Sequence, residues 1–342
     1  MGVRWASALA TFLFCALVSR AHGSGLVTLV TTSSGHEKGL LNWLGSVDNA
    51  HEGILDTIMV LSMDEPVHKL MTGHGARSVL GTAPHEARQL RTRDQIWLTR
   101  MKLVLKLLTD GTDVLMSDVD ALWLRDPLPA VRMQLASGAD IVASRATKWP
   151  QVQAEKWGTV LCMGFVYFRA TTAVTELMSG VVQAMEHAQR PDDQVAINEV
   201  LDAMGLRWNH ATGGVVTSTA ATTGKTSSGM AVSLLSAESV YRSSGSEAAL
   251  SLSGAVESPN ILVYHAPDFV RVPLSPSNQT LPLWVPRKSF DSFDEKQLRD
   301  ANVWTLRDDW QSSPFPKGAV GNESTHGRFA EWIRDVNGCV RI

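Results

Sequence analysis

Short apolar runs alternate with amphipathic stretches along the first two thirds of the chain. The β-rich run Leu26–Thr32 is followed by a helical stretch at about 38–47 and by a second apolar run, Ile54–Met63. A helical pattern at 94–108 then precedes another apolar run at 113–117. Strands that alternate with helices are typical of a parallel sheet that helices cover. The pattern therefore predicts an α/β fold with a mainly parallel central sheet.

Further elements follow the same alternation. Strands are predicted at Ala139–Ser144 and Val160–Arg169, and Thr171 and Thr172 are suitable caps for the helix that comes next. Another helix is predicted at about 191–204. In the helix at 94–108 the apolar residues share one face: Trp97, Met101, Val104, Leu105 and Leu108.

The N-terminus carries the pattern of a secretory signal. Arg4 precedes the apolar run Ala6–Val18, and small residues follow up to Gly23. This order predicts a signal peptide at 1–23, with an uncut short signal anchor as the alternative. Both place the chain in the secretory pathway, in the lumen of the Golgi or endoplasmic reticulum or outside the cell. Only the uncut anchor would contact a membrane.

Composition changes after residue 210. The segment at about 211–259 is rich in Ser, Thr, Gly and Ala, and such a stretch buries too little apolar surface to offset its ordering entropy. It is therefore expected to be a disordered or loosely ordered insertion in a domain that spans 24–290. Three tryptophans in the tail predict that 291–342 packs back on that domain: Trp304, Trp310 and Trp332.

Charge and cysteine content give little information about the function. The 342 residues carry a net charge of -3 with no basic stripe, so nucleic acid is not an expected partner. Beyond the predicted signal, Cys162 and Cys339 either pair in an oxidising lumen or leave Cys162 as a buried thiol. Sequons at Asn278 and Asn322 would be acceptors for glycans in that compartment.

The strongest candidate for chemistry follows the apolar run at 113–117. Asp118 and Asp120, two residues apart, are suited to hold a divalent cation between the protein and a diphosphate. Lys102, on the preceding helix, either reaches the diphosphate or is solvated. Thr31 and Thr32 end the first strand, where nucleotides bind in open α/β sheets.

Three motifs in order resemble a known family. They are DVLMSDVDALWLRDP at 113–127, MGFVYFRAT at 163–171 and DDQVAINEVL at 192–201. Together with the opening strands, they resemble nucleotide-diphospho-sugar transferases of the plant arabinosyl- and xylosyltransferase type, glycosyltransferase family 77. The resemblance covers about 26–205 and fades beyond 211.

The resemblance implies a GT-A-like (Rossmann-like) fold and a metal-dependent reaction. A UDP-linked pentose or hexose would be transferred to a glycan or glycoprotein acceptor, with retention of configuration. Mn²⁺ would lie at Asp118 and Asp120, and the hard carboxylate oxygens suit Mn²⁺ or Mg²⁺.

The resemblance also implies roles for other residues. The third metal ligand would be a late histidine, for which His265 is the first candidate and His210 the alternative. Asp193 and Gln194 would face the donor sugar as catalytic residues. Gly164 would let the backbone approach the donor or acceptor closely.

Aromatic residues near that strand have two open interpretations. Trp149 and Trp157 flank the strand at 160–169 and would either stack on sugar rings or belong to the core or a lid.

Two other functions remain open at this point. A haloacid-dehalogenase-type phosphatase also places two aspartates after a strand, although Leu122 stands where that family has Thr or Val. A secreted, non-catalytic sugar- or nucleotide-binding protein on a decayed transferase fold is the second.

Overall fold

The computed structural model describes residues 25–81, 92–209, 213–216, 219–242, 258–265, 269–272 and 283–286. The predicted signal at 1–23, His210, Cys339, both sequons and the C-terminal extension at 291–342 lie outside these ranges. The domain boundaries therefore stay predictions.

The described helices are α1 (Glu37–Ala50), α2 (Glu65–Gly73), α3 (Thr92–Thr109), α4 (Leu128–Ala136), α5 (Gln151–Trp157), α6 (Thr172–His187) and α7 (Asp193–Ala203). The strands are β1 (Leu26–Thr32), β2 (Ile58–Ser62), β3 (Arg77–Leu80), β4 (Asp113–Ser117), β5 (Ala121–Trp123), β6 (Ile141–Ala146), β7 (Val160–Phe168), β8 (Arg207–Trp208), β9 (Thr222–Lys225), β10 (Ala231–Leu234), β11 (Val240–Arg242), β12 (Val263–His265), β13 (Phe269–Val272) and β14 (Leu283–Pro286). None of these helices is long and apolar enough to cross a membrane.

A nine-stranded sheet forms the centre of the molecule, in the order β3-β2-β1-β4-β7-β6-β10-β9-β8. Only β7 and β9 run against the direction of the other strands. The predicted α/β fold with a mainly parallel sheet is confirmed. β1 and β4 are parallel neighbours, so their carboxyl ends leave the sheet at one edge.

Most predicted elements are present, with small changes at their ends. Thr171 caps α6 by accepting a hydrogen bond from the amide of Val174, as expected. The predicted strand at 54–63 is shorter, because Ile54–Thr57 forms a 3₁₀ turn and the strand β2 begins at Ile58. The turn follows Gly53, which has a φ of 79°.

The expected disorder at 211–259 is wrong for most of what is described there. β9 and β10 lie inside this segment and extend the central sheet, with β10 parallel to β6 and antiparallel to β9. Val232, Ser233 and Leu234 are fully buried. Small hydroxyl residues are compatible with a strand because the sheet satisfies their backbone groups, so composition was a poor guide.

A separate three-stranded sheet joins distant parts of the chain in the order β11-β12-β5. β12 pairs antiparallel with β5, and His265 stands opposite Ala121. Since β5 follows β4 after a short turn, this pairing brings a late strand to the carboxyl edge of the central sheet.

Candidate active site

The turn between β4 and β5 presents two carboxylates. Ser117 ends β4 in a fully buried position, and Asp118 and Asp120 follow in the turn. The amide of Asp118 donates to the carbonyl of Gly164 on β7 at 2.8 Å, and the amide of Ala121 donates to the carbonyl of Asp118 at 3.0 Å. These bonds fix the turn against the sheet, so both side chains leave it at a defined place.

His265 completes a cluster with these carboxylates. Its Nε2 lies 3.3 Å from Oδ1 of Asp120 and 4.0 Å from Oδ2 of Asp118. One ligand atom from each of the three residues lies within 4.8 Å of the others. The structure thus brings together the three residues that were predicted to bind the metal. His210 lies outside the described residues.

The imidazole of His265 is buried and sits over Gly164. A Cβ atom built on Gly164 would lie 2.0 Å from Cε1 of His265. The glycine therefore makes room for the histidine ring, and its expected role in admitting the donor or acceptor stays a prediction. Burial alone would lower the pKa of His265, but the neighbouring Asp120 and Cys162 raise the pKa well above its ordinary value.

Buried aromatic residues hold the β4–β5 turn in place. The indole Nε1 of Trp43 donates to the carbonyl of Ala121 at 3.1 Å and to Oγ of Ser117 at 3.3 Å. The rings of Trp43, Trp123 and Phe165 pack edge to face. The two strand ends that flank the aspartates are consequently held by one buried side chain on α1.

Arg100 is a central residue of the site that the sequence did not predict. Its Nη1 donates to Oδ1 of Asp118 at 2.6 Å, and its Nη2 donates to Oδ2 of Asp193. Burial would lower the pKa of Arg100, but the charges of Asp193 and Asp118 outweigh this and raise it. A permanently charged guanidinium therefore links the β4–β5 turn to the start of α7.

A signal for Arg100 exists in the sequence. Arg100 follows Trp97 by three residues and precedes Val104 by four, so it lies on the apolar face of α3. A charged residue on a buried helix face requires a partner of opposite charge. Its partners are distant in the sequence, and for that reason local spacing does not identify them.

The predicted catalytic pair lies at the start of α7. Asp192 is the N-cap and accepts from the amide of Val195 at 3.0 Å. Asp193 is buried against Arg100, and burial raises the pKa of its carboxyl while Arg100 opposes this. The side-chain Oε1 of Gln194 accepts from the backbone N–H of Met163 at 3.4 Å, and its Nε2 donates to the carbonyl of Trp149 at 2.5 Å. Gln194 thus ties α7 to two backbone segments.

The end of β1 carries hydroxyl groups with no internal partner. The Oγ1 atoms of Thr31 and Thr32 are buried, and neither has a hydrogen-bond partner among the described residues. Nearby, Ser34 donates through its hydroxyl and its amide to the carboxylate of Asp64 at 2.7 and 2.6 Å. These bonds link the loop after β1 to the N-cap of α2.

Other sequence candidates lie elsewhere. Lys102 pairs with Glu186 on α6 at 2.7 Å, so the expected contact of Lys102 with a diphosphate is not supported. Lys102 and Arg100 are on different faces of α3, and Arg100 is the cation that reaches the site. Trp157 is buried and packs edge to face on Trp208, which makes it a core residue. Trp149 remains 54% exposed.

The donor set fits a hard divalent cation. Two carboxylates and one imidazole offer oxygen and nitrogen ligands, which suit ions such as Mn²⁺ and Mg²⁺. Asp118 uses Oδ1 for Arg100 and keeps Oδ2 toward His265, so it remains available as a ligand while it is held in place. The site lies at the carboxyl edge of the sheet, where α/β enzymes bind their ligands.

A model of the nucleotide-diphospho-sugar transferase family matches residues 53–244. This range is more than half of the chain and includes the turn with Asp118 and Asp120 and the start of α7. The chain belongs to the nucleotide-diphospho-sugar transferase family. It is therefore a glycosyltransferase by family, and the predicted enzyme class is confirmed. No curated protein sequence matches it.

Solved glycosyltransferases resemble the chain at low identity. The galactosyltransferase LgtC, in complex with donor and acceptor sugar analogues, is 15% identical with a TM-score of 0.45, over 84% of this chain and 99% of that one. Mouse xyloside xylosyltransferase 1 in its apo form is 9% identical with a TM-score of 0.40, over 70% and 97%. For the apo bifunctional glycosyltransferase WbbM the values are 12% and 0.40. That match covers 52% of this chain and only 37% of the length of WbbM.

Proposed function

We propose that this member of the family transfers a sugar from a UDP-sugar donor to a glycan or glycoprotein, with a divalent cation held by Asp118, Asp120 and His265. One observation carries the proposal. Three residues from the β4–β5 turn and from β12 converge at the carboxyl edge of the sheet, with ligand atoms within 4.8 Å. Surface acids can cluster by chance, but here a buried histidine from a distant part of the chain joins the two aspartates.

A bound cation would act as a Lewis acid that stabilises the negative charge of the departing diphosphate. The protein's own residues prepare this site. Asp120 and His265 stand side by side, and Asp118 is oriented by the guanidinium of Arg100. The turn is fixed by its bonds to Gly164 and by Trp43, so little reorganisation is needed when the ligands are bound.

Asp193 and Arg100 are the candidates for contact with the donor sugar. The Nε of Arg100 is buried and has no acceptor among the described residues, and buried donors normally have one. An oxygen of the bound donor is a suitable acceptor. Asp193 is fixed by Arg100 beside it, so its second oxygen can receive a hydroxyl of the sugar. Gln194 would hold the surrounding backbone.

The hydroxyls of Thr31 and Thr32 are the candidates at the nucleotide end of the donor. Both are buried at the end of β1 without an internal partner, and the same edge of the sheet carries Asp118. A nucleotide would supply the acceptors and donors that these groups lack. This assignment agrees with the predicted roles of the two threonines.

The finer assignments are also part of the proposal. The order of the three motifs supports glycosyltransferase family 77, and that resemblance is the basis for a UDP-linked pentose or hexose, Mn²⁺ and retention. The apolar run Ala6–Val18 supports a place in the secretory pathway, in the Golgi or endoplasmic reticulum lumen or outside the cell. Family membership argues against the phosphatase alternative.

Calorimetric titration of UDP into the full chain, with and without Mn²⁺, tests the proposal. Wild type is expected to bind UDP in an Mn²⁺-dependent way, and Asp120→Asn is expected to lose that dependence because one carboxylate ligand is gone. Asp110→Asn is the matched control, since Asp110 pairs with Lys106 on the surface of α3. It should bind as wild type does.

Each other result has a defined meaning. Mn²⁺-independent binding of UDP without turnover of any UDP-sugar would favour the non-catalytic binding protein. Absence of UDP binding under all conditions would contradict the proposed donor site.

A further inference from the structure

Cys162 touches the candidate metal ligand His265 from the side opposite to the aspartates. Its Sγ lies 3.7 Å from Nδ1 of His265, while Nε2 of the same ring lies 3.3 Å from Asp120. Both Cys162 and His265 are buried. The two ring nitrogens therefore have different partners, a sulfur on one side and the metal-binding carboxylates on the other.

We infer that Cys162 is a positioning residue for His265: its sulfur accepts the Nδ1–H hydrogen bond and thereby leaves Nε2 as the metal ligand. This inference rests on the proposed function. In a neutral imidazole one nitrogen carries the proton and the other has the free lone pair. The hydrogen bond at the first nitrogen decides which one is available to a metal.

The surroundings restrict the ring to one position. Cys162 and Gly164 are both on β7, and both contact the same imidazole ring. The ring lies over the glycine, where a Cβ atom would clash with it, and against the sulfur of the cysteine. The backbone of His265 is fixed by its pairing with Ala121. A ring held on three sides in this way directs Nε2 to Asp118 and Asp120.

The opposite arrangement would have a chemical consequence. If the thiol donated to Nδ1, the neutral ring would carry its proton on Nε2, and that nitrogen would have no lone pair for a cation. The proton position of His265 therefore distinguishes a positioning role of Cys162 from mere packing.

Two measurements on the full chain test the inference. Selective ¹⁵N labelling of histidine reports the proton position by NMR in the presence of saturating Mg²⁺, a diamagnetic ion that would take the place of a proton between Nε2 and the carboxylate of Asp120. Comparison with His265→Gln assigns the resonances among the 10 histidines. Titration with Mn²⁺ alone, followed by EPR, reports the affinity for the metal.

The variant Cys162→Val removes the acceptor and keeps an apolar group of similar size. We expect wild type to carry the proton on Nδ1 and Cys162→Val to lose this preference, with Mn²⁺ affinity lowered about 10-fold. Cys162→Ser keeps an acceptor and is expected to retain the Nδ1 proton and more affinity than Cys162→Val. If Cys162→Val fails to fold, Cys162→Ala takes its place.

Ser144→Ala is the matched control. Ser144 is buried and its hydroxyl donates to the carbonyl of Cys162 at 3.3 Å, so this variant disturbs the strand without removing the sulfur. Unchanged proton position and Mn²⁺ affinity in Cys162→Val would overturn the inference, as would a wild-type proton on Nε2. If wild type binds neither Mn²⁺ nor Mg²⁺, the proposed function fails, whereas a proton on Nε2 in metal-bound wild type overturns the role of Cys162 alone.

Discussion

At the scale of single residues, the missing side chain of Gly164 determines where the His265 ring lies. In Gly164→Ala the new methyl group would overlap the imidazole, with 2.0 Å to Cε1. We expect the ring to be displaced, Mn²⁺ affinity to fall roughly 10-fold or more, and the free energy of unfolding to fall by about 1–3 kcal/mol. Mn²⁺ titration and chemical denaturation measure the two effects.

The control for this variant is Gly73→Ala at the end of α2. A Cβ atom there meets nothing within 4 Å. Stability is expected to stay within about 1 kcal/mol of wild type, and Mn²⁺ affinity should not change. Wild-type metal affinity in Gly164→Ala would mean that the ring does not occupy the position described.

Arg100 provides the second prediction for a single residue. Arg100→Met removes the cation between two carboxylates, one of them buried. We expect a loss of about 3–5 kcal/mol in the free energy of unfolding, because a buried charge is left without a partner. Lys106→Met on the same helix breaks a surface pair with Asp110 and should cost at most about 1 kcal/mol. Addition of Asp193→Asn should restore part of the loss in Arg100→Met.

The loss in Arg100→Met is expected to depend on pH. In wild type, burial raises the pKa of Asp193 and Arg100 opposes the rise. Without Arg100 the pKa rises further, so the folded state binds a proton more tightly than the unfolded state does. Stability from such a group is present at low pH and lost as pH increases. The deficit relative to wild type should therefore shrink from about pH 8 to about pH 5. A deficit that grows on acidification would contradict this assignment.

At the scale of elements, the buried side chain of Asn198 attaches α7 to β7. Asn198 accepts from the amide of Leu161 and donates to its carbonyl, both at 3.0 Å. Since Asp193 and Gln194 begin this helix, the contact also fixes the position of the candidate catalytic pair. Its absence should affect both stability and the geometry of the site.

The variant Asn198→Leu tests this attachment. It leaves the amide and carbonyl of Leu161 without their side-chain partner, at a cost of about 1–3 kcal/mol for each buried group left unsatisfied. Denaturation is the measurement, and Glu199→Gln, at the exposed neighbouring position, is the control with an expected change within about 0.5 kcal/mol. Equal stability of the two variants would argue against a structural role of Asn198.

Local sequence signals predicted individual elements well and their pairing poorly. The N-caps Thr171 and Asp192 and the apolar run of β4 are local, and each leads to the element observed. The pairing of β5 with β12 joins residues about 140 positions apart, as between Ala121 and His265, and no spacing rule predicts it. The candidate metal ligands Asp118 and Asp120 were predicted from the local pattern, and His265 only from the family resemblance.

At the scale of the whole molecule, the continuous sheet contains a region whose composition indicated disorder. β10 lies between β6 and β9, with a ladder of hydrogen bonds on each side. Without β9 and β10, the nine-stranded sheet would end at β6. The family model also extends to residue 244, so it includes this region. The described strands β9 and β10 of this segment are therefore part of the central sheet.

Amide hydrogen exchange on the full chain tests this architecture. Val232 and Leu234 in β10 are expected to exchange about as slowly as Val142 in β6, because each strand is hydrogen-bonded on both sides and fully buried. The two-residue edge strand β8 should exchange faster, since it has a neighbour on one side only. If amides of β10 instead exchanged at the rate of an unfolded chain, the sheet would end at β6. The disordered insertion that composition predicted would then be the better description.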